Sequence, residues 1–481
     1  MAPLATKRRT HRCRRCGKER KWHVCTAGGP QQPPTAGQVI PDQSKPVDID
    51  RISDLPDELL CTIVSLLPFK DGARTRLLSR RWRNLWLSAP LNLDDGGLEV
   101  GDIRRWRRRA YLQGLITRIL STHPGPIRRL CLTSFSHTTT WDTWFRYPVL
   151  DKLEELQFRY NRMPLIKDLL PLSALRFSDL RVASYGRCNF PEDLGGVTFP
   201  KLRELTLYEL TNSESTLHAM ISACPALRSL FLRNNVGFRR VRISSQRLIN
   251  LGISVEARTM EELIIVNAPS MEKLLIFDTN GVPKNICVMF APKLEVMGCL
   301  SNDMLNVQLE ATVFQKLVAI SPIKSLQAVK IFSLRAAGFK LEIVMDFLKC
   351  FPCLEKLYYF ESRPWEDESG QILNGGPSIE CLDRHLKEIV LIDYQGTSSG
   401  GVNFVRFFVL NASVLKVVEF QVPFDCSKKW KAKHKRLLPK RKDWASQVAK
   451  LNFVHGTYFR HWQNEYHTHE LFSYDNPFGC Q

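Results

Sequence analysis

The chain has 481 residues, 44% of them hydrophobic, and a formal net charge of +20. That supplies core for one small and one large module, and no run approaches the roughly 20 consecutive apolar residues of a membrane-spanning helix, so a soluble protein is expected. The 14 cysteines are scattered without a framework, which argues against a disulfide scaffold and suits reduced thiols in the nucleus or cytoplasm.

Residues 1–48 open basic, without the apolar stretch of a secretion signal, and close with Pro30, Pro33, Pro34 and a polar tail. So little apolar surface predicts a mostly disordered tail. Within it, Cys13, Cys16, His23 and Cys25 offer three thiolates and an imidazole, a donor set suited to tetrahedral zinc. The single residue between His23 and Cys25 is tight for that geometry. The other reading is a basic tail whose arginines lower thiol pKa values without metal. No other segment calls for a cofactor.

Residues 49–95 predict three short helices. Pro56 opens the first where its missing N–H costs nothing, and Asp57 and Glu58 place negative charge at the positive end of the dipole. Leu59, Leu60, Ile63, Val64, Leu66 and Leu67 then form one broad apolar face until Pro68 ends the run. A second helix is expected after Asp71 as its cap, with Gly72 tolerable only near its first turn, since an interior glycine costs about 1 kcal/mol. Ser79 caps a third helix carrying Trp82, Leu85 and Trp86. Fewer than 40 residues rarely bury such side chains alone, so some should face a partner.

At Leu55-Pro56-x-Glu58-Leu59-Leu60, Leu66-Leu67-Pro68 and Leu78-Ser79-Arg80-Arg81-Trp82-Arg83-Asn84-Leu85-Trp86 the chain resembles the F-box of plant F-box proteins. The resemblance implies docking on a Skp-type linker within a cullin-RING ubiquitin ligase. The residues expected to carry it are Leu55, Pro56, Glu58, Leu59, Leu67, Pro68, Ser79, Trp82 and Trp86.

Residues 96–375 read as a repeat array. Ile103 to Leu120 predicts a helix with Trp106, Tyr111, Leu115, Ile119 and Leu120 inward. Short strands then recur as Leu202-x-x-Leu205-x-Leu207, Leu227-x-x-Leu230-x-Leu232, Met271-x-x-Leu274, Leu294-x-x-Met297 and Leu354-x-x-Leu357, each two residues after a proline. Units without the proline start at Leu153, Leu248, Leu326, Leu386 and Leu415. Separations near 25 residues or its multiples are those of leucine-rich repeats, whose leucines are buried only when units stack. The usual Asn after the strand is mostly missing, so irregular repeats are expected, backed by helices or irregular segments.

Residues 376–425 contain Cys381-Leu382-x-x-His385-Leu386-Lys387-x-Ile389 and Phe404-x-x-Phe407-Phe408-x-Leu410-Asn411-Ala412-Ser413-Val414-Leu415-Lys416. This is similar to the FBD domain that follows leucine-rich repeats in many plant F-box proteins, although the acidic residue often found before the Phe-rich helix is absent. The residues themselves place Phe404, Phe407, Phe408 and Leu410 on one side of a helix and a strand over Val414 to Val422. Residues 426–481 hold the basic run from Lys428 to Lys442, which reads as a nuclear import signal or a solvated loop, then a segment from Trp444 that adds a helix and strand.

The expected fold is α/β: an N-terminal three-helix F-box, then an irregular leucine-rich-repeat solenoid closed by an FBD-like segment. No catalytic constellation stands out, and Cys350 and Cys353 read as repeat structure because Pro352 and Leu354 fall in the repeat slots. The leading reading is a non-enzymatic substrate-recognition adaptor of a Skp-cullin-F-box ubiquitin ligase, its repeats binding an unknown protein substrate. The alternative is a nuclear, nucleic-acid-associated protein using its basic, zinc-capable N-terminal segment.

Overall fold

The computed structural model describes residues 54–98, 105–135, 140–161, 169–255, 260–277, 281–361, 379–394, 399–422 and 427–455, together with Ile52, Phe472 and Phe478. The chain divides into two compact units, Met1–Asp54 and Leu55–Gln481. Cys13, Cys16, His23 and Cys25 lie outside what is described, and so does the side chain of Trp106 of the predicted inward set.

The second unit begins with helices α1 (Asp57–Leu66), α2 (Phe69–Thr75) and α3 (Arg80–Ser88). Ser79 caps α3 as expected, its hydroxyl accepting from the Trp82 amide at 3.3 Å. Helix α2 differs from expectation. It starts at Phe69 behind Pro68, so Asp71 lies in its first turn and Gly72 is an interior, buried residue. A Cβ there would meet the Trp86 indole nitrogen at 3.5 Å, an ordinary packing distance, so space alone does not call for glycine.

Beyond α3 runs a 14-stranded sheet whose neighbours all pair in parallel, from Leu91–Asp94 to Lys450–His455. Each strand sends alternate residues into one continuous core. Leu205, Leu230, Leu251 and Leu274 stand opposite one another on successive strands and are fully buried. The proline-leucine spacing has a simple cause. Leu202, Leu227, Met271, Leu294 and Leu354 each donate their amide to the carbonyl three residues back, at 3.0–3.2 Å. Pro200, Pro225, Pro269, Pro292 and Pro352 thus occupy the second position of a tight turn, where a fixed φ near −65° is favourable.

Several expectations are corrected. Between strands the backing is helix Glu214–Ser222 or Leu341–Cys350 in places, but centrally it is a second, six-stranded sheet whose Arg240–Ser244, Glu262–Asn267, Asn285–Val288 and Asn306–Leu309 run parallel. The Leu326 unit is displaced: its strand is Ile331–Ala336, with Val329, Phe332 and Leu334 filling the core slots. The asparagines are present, offset by one to three residues. Asn189, Asn212 and Asn235 are buried and accept from the amides of Thr211, Phe190 and Leu210 at 3.0, 3.4 and 3.0 Å. Directly after three strands, Arg187, Glu209 and Asn234 adopt positive φ of 50–52°, so the corner is held by geometry rather than by residue type.

Helix α4 (Arg105–Thr122) forms as predicted and buries Ile119 and Leu120, but Tyr111 points outward. Helix Ser399–Asn411 buries Phe404, Val405, Phe408 and Val409, leaving Phe407 half-buried and Leu410 exposed. The FBD-like segment does not close the sheet. Strand Val417–Val422 would present an unpaired edge, and Lys450–His455 pairs with it from Val417↔Lys450 onward. The basic run is not a loop either: it forms helix Lys428–Leu437, capped by Ser427, with His434 buried and most of its lysines exposed.

Candidate partner-docking surfaces

The three N-terminal helices pack onto the amino-terminal end of the main core. Leu60 and Val64 of α1 meet Trp82, Leu85 and Trp86 of α3, with the two indoles only 5% and 8% exposed. Trp86 sits edge-on to Phe69 and to His123, at 6.2 and 5.0 Å between ring centroids, with the Arg76 guanidinium over its ring at 4.8 Å. Arg81 ties α3 to the start of α1, donating to the Asp57 carboxylate at 2.8 Å and to the Leu55 carbonyl at 2.6 Å. Asn92 donates to the Ser65 carbonyl at 2.7 Å, locking the end of α1 to the first strand.

The predicted docking residues therefore separate into two groups. Pro56, Glu58, Leu59, Pro68 and Ser79 are exposed, and Leu55 and Leu67 are half-buried. Trp82 and Trp86 are buried, because α3 turns that face onto α1, α2 and His123. The broad apolar face read from α1 splits likewise. Leu60 and Val64 go inward while Leu59, Ile63 and Leu66 remain outside, Leu66 at 65% exposure. Two further leucines that the sequence reading did not single out are exposed, Leu77 (86% exposed) and Leu78, in the turn between α2 and α3. Their signal was available: a Leu-Leu pair between helices has no helical face to serve. Isolated exposed leucines are ordinary, but five such side chains on one small module are a partner surface in character.

A second surface is the face of the large sheet turned away from the core. Its first strands carry polar and charged groups, among them Arg129 and Glu155 in ion pairing at 3.7 Å and buried Thr206. Its later strands carry Leu275, Phe277, Tyr358 and Phe360, which form an apolar cluster separate from the main core.

The described groups offer little for catalysis. Cys350 has its thiol pushed up to about 12 by burial and donates to the Lys324 carbonyl at 3.4 Å, the opposite of an activated nucleophile. Asp94, Asp95 and Cys131 lie close together, but Asp95 accepts from the amides of Thr133 and Ser134, both at 2.8 Å, and so fastens the first two strands.

The described fold is thus a helical module with exposed leucines joined to a stacked parallel repeat. Family models match the chain as an F-box domain over residues 52–94, as the leucine-rich repeats of the FBD-associated F-box protein At5g56370 over 141–359, and as an FBD over 376–420. The putative F-box/FBD/LRR-repeat protein At5g56810 of Arabidopsis thaliana is 27% identical over 376 residues, covering 72% of this chain and 84% of that one. The F-box/FBD/LRR-repeat protein At5g22660 is 24% identical over 425 residues, covering 78% and 90%. A putative FBD-associated F-box protein, At3g50710, is 32% identical over 254 residues, covering 48% of this chain and 56% of its own length. The chain belongs to this plant-type F-box/LRR/FBD family.

Proposed function

We propose that the chain is the substrate-recognition adaptor of a Skp-cullin-F-box ubiquitin ligase. The observation that supports it is the pairing of an F-box match with a folded three-helix module that leaves Leu59, Ile63, Leu66, Leu77 and Leu78 in solvent beside Pro56 and Pro68. Those side chains serve no described core, and apolar anchors of this size are where interface energy concentrates. The repeat sheet would hold the substrate. The adaptor supplies no reacting group: it raises the local concentration of a substrate lysine near a charged ubiquitin-conjugating enzyme.

The test is capture of a purified Skp-type linker by the full chain. Wild type should retain the linker, and the double change Leu66→Asp with Leu77→Asp should lose it while keeping the wild-type melting temperature. Equal capture by both proteins would end this reading.

A further inference from the structure

Where the strands enter the large sheet, the backbone forms a row of rungs from Arg128 to Lys450, in which each member's amide donates to the carbonyl of the one before at 2.7–2.9 Å. Charged neighbours on this row, about 4.8 Å apart at the usual strand spacing, mostly pair. Glu154 takes Arg128 at 3.5 Å and Arg181 at 4.0 Å, Glu295 takes Lys330 at 2.9 Å, and Glu355 takes Lys387 at 2.6 Å. Arg203 and Arg228 break the pattern. They follow Arg181 on the next two rungs, so three arginines stand in register over about 10 Å. All three are exposed, and among the described residues the Arg203 and Arg228 side chains have no ion pair or hydrogen bond. Like charges side by side repel, and an anion between them turns that repulsion into attraction.

The row also limits what that anion is. A carboxylate is filled by a single guanidinium fork, whereas a phosphate monoester carries about two negative charges and three oxygens and so accepts from two forks at once. Carboxylates bound the run on both sides, Glu154 beside Arg181 and Glu272 two rungs beyond Arg228. A compact dianion fits between them, while a long polyanion such as nucleic acid would run onto them.

We propose that Arg203 and Arg228, with Arg181 beside them, form a binding site for a phosphate monoester carried by a protein segment, so that the repeat array takes a phosphorylated protein. That this protein is a substrate rests on the adaptor reading; the phosphate site does not.

The test uses the full chain and a pool of short peptides with random flanks around a central phosphoserine, beside matched pools with serine or glutamate at that place. Wild type should retain the phosphoserine pool at least about tenfold over both others, the least that a charge-assisted contact contributes. Arg203→Gln with Arg228→Gln should lose that preference at an unchanged melting temperature, and so should Arg203→Lys with Arg228→Lys, which keeps the charge and removes the forks. Lys416→Gln with Lys450→Gln removes the same charge from exposed positions at the far end of the row and should keep the preference. No phosphoserine preference in wild type, its survival in the glutamine variant, or its loss in the Lys416 and Lys450 control overturns the proposal. So does equal retention by the lysine variant, which would leave charge alone, and so does tighter retention of single-stranded DNA than of the phosphoserine pool. Linker capture is read separately, and its failure in the wild type would count against the adaptor reading alone.

Discussion

The indole of Trp430 stacks on the imidazole of His434, with ring centroids 5.3 Å apart and planes 5° from parallel. Tyr394, Phe420 and Phe453 complete the pocket, and the Tyr394 hydroxyl is 3.1 Å from the His434 Nε2. A run rich in lysine is thereby pinned to the last strands through its aromatic members. Burial holds the His434 pKa below its ordinary value near 6.5. The neutral ring is thus the folded form, so its stabilisation is present above the unfolded value and lost as pH falls through it toward the lower folded value. Each pK unit of depression corresponds to about 1.4 kcal/mol. Protection against hydrogen exchange across Lys428–His455, relative to the intrinsic amide rate at each pH, should fall between pH 7 and pH 5 in the wild type, and much less in His434→Gln.

The inward tryptophans and outward leucines of the helical module should separate cleanly by mutation. Trp82→Ala or Trp86→Ala removes a buried indole and should cost about 3–5 kcal/mol in denaturant unfolding. Leu66→Ser or Leu77→Ser removes little buried surface and should stay within about 0.5 kcal/mol of wild type. Similar losses for all four variants would contradict the assignment of faces.

Gly186 lies beneath the Tyr208 ring of the adjacent strand, and any Cβ at that position would collide with it. Gly186→Ala should destabilise by about 1–3 kcal/mol, the usual range for overpacking. Combining it with Tyr208→Ala should cost less than the two single losses added together, because the collision disappears. A thermal-melt double-mutant cycle reads this directly.

The thiols of Cys224 and Cys350 are both pushed up to about 12 by burial. Native protein at neutral pH should leave both unmodified by iodoacetamide under conditions that alkylate them fully once it is unfolded. Peptide mass spectrometry gives the result, and rapid native labelling of Cys350 would revive a redox reading of Cys350 and Cys353.

Much of this architecture was legible in the sequence, for local reasons. The Pro-x-Leu phrase marks a turn whose φ the proline presets, and the leucines two apart beyond it mark a strand with one face buried; both are short-range constraints. The Ser79 cap and the ordered Leu-Pro and Trp spacings likewise needed no tertiary information. What periodicity could not decide was which of two apolar neighbours turns inward. Leu59 and Leu60 are equivalent to a hydrophobic pattern, and only the packing of α3 against α1 makes Leu60 core and Leu59 surface. Trp82 and Trp86 show the same limit: size and apolarity predict burial, but not against what. The second sheet, the strand added beyond the FBD-like segment and the seating of Phe472 and Phe478 on Tyr358 and Lys273 all join residues far apart in the chain. Such contacts are set by the stacking of the whole repeat, because a strand edge or an apolar face exists to be covered only after its neighbours have assembled.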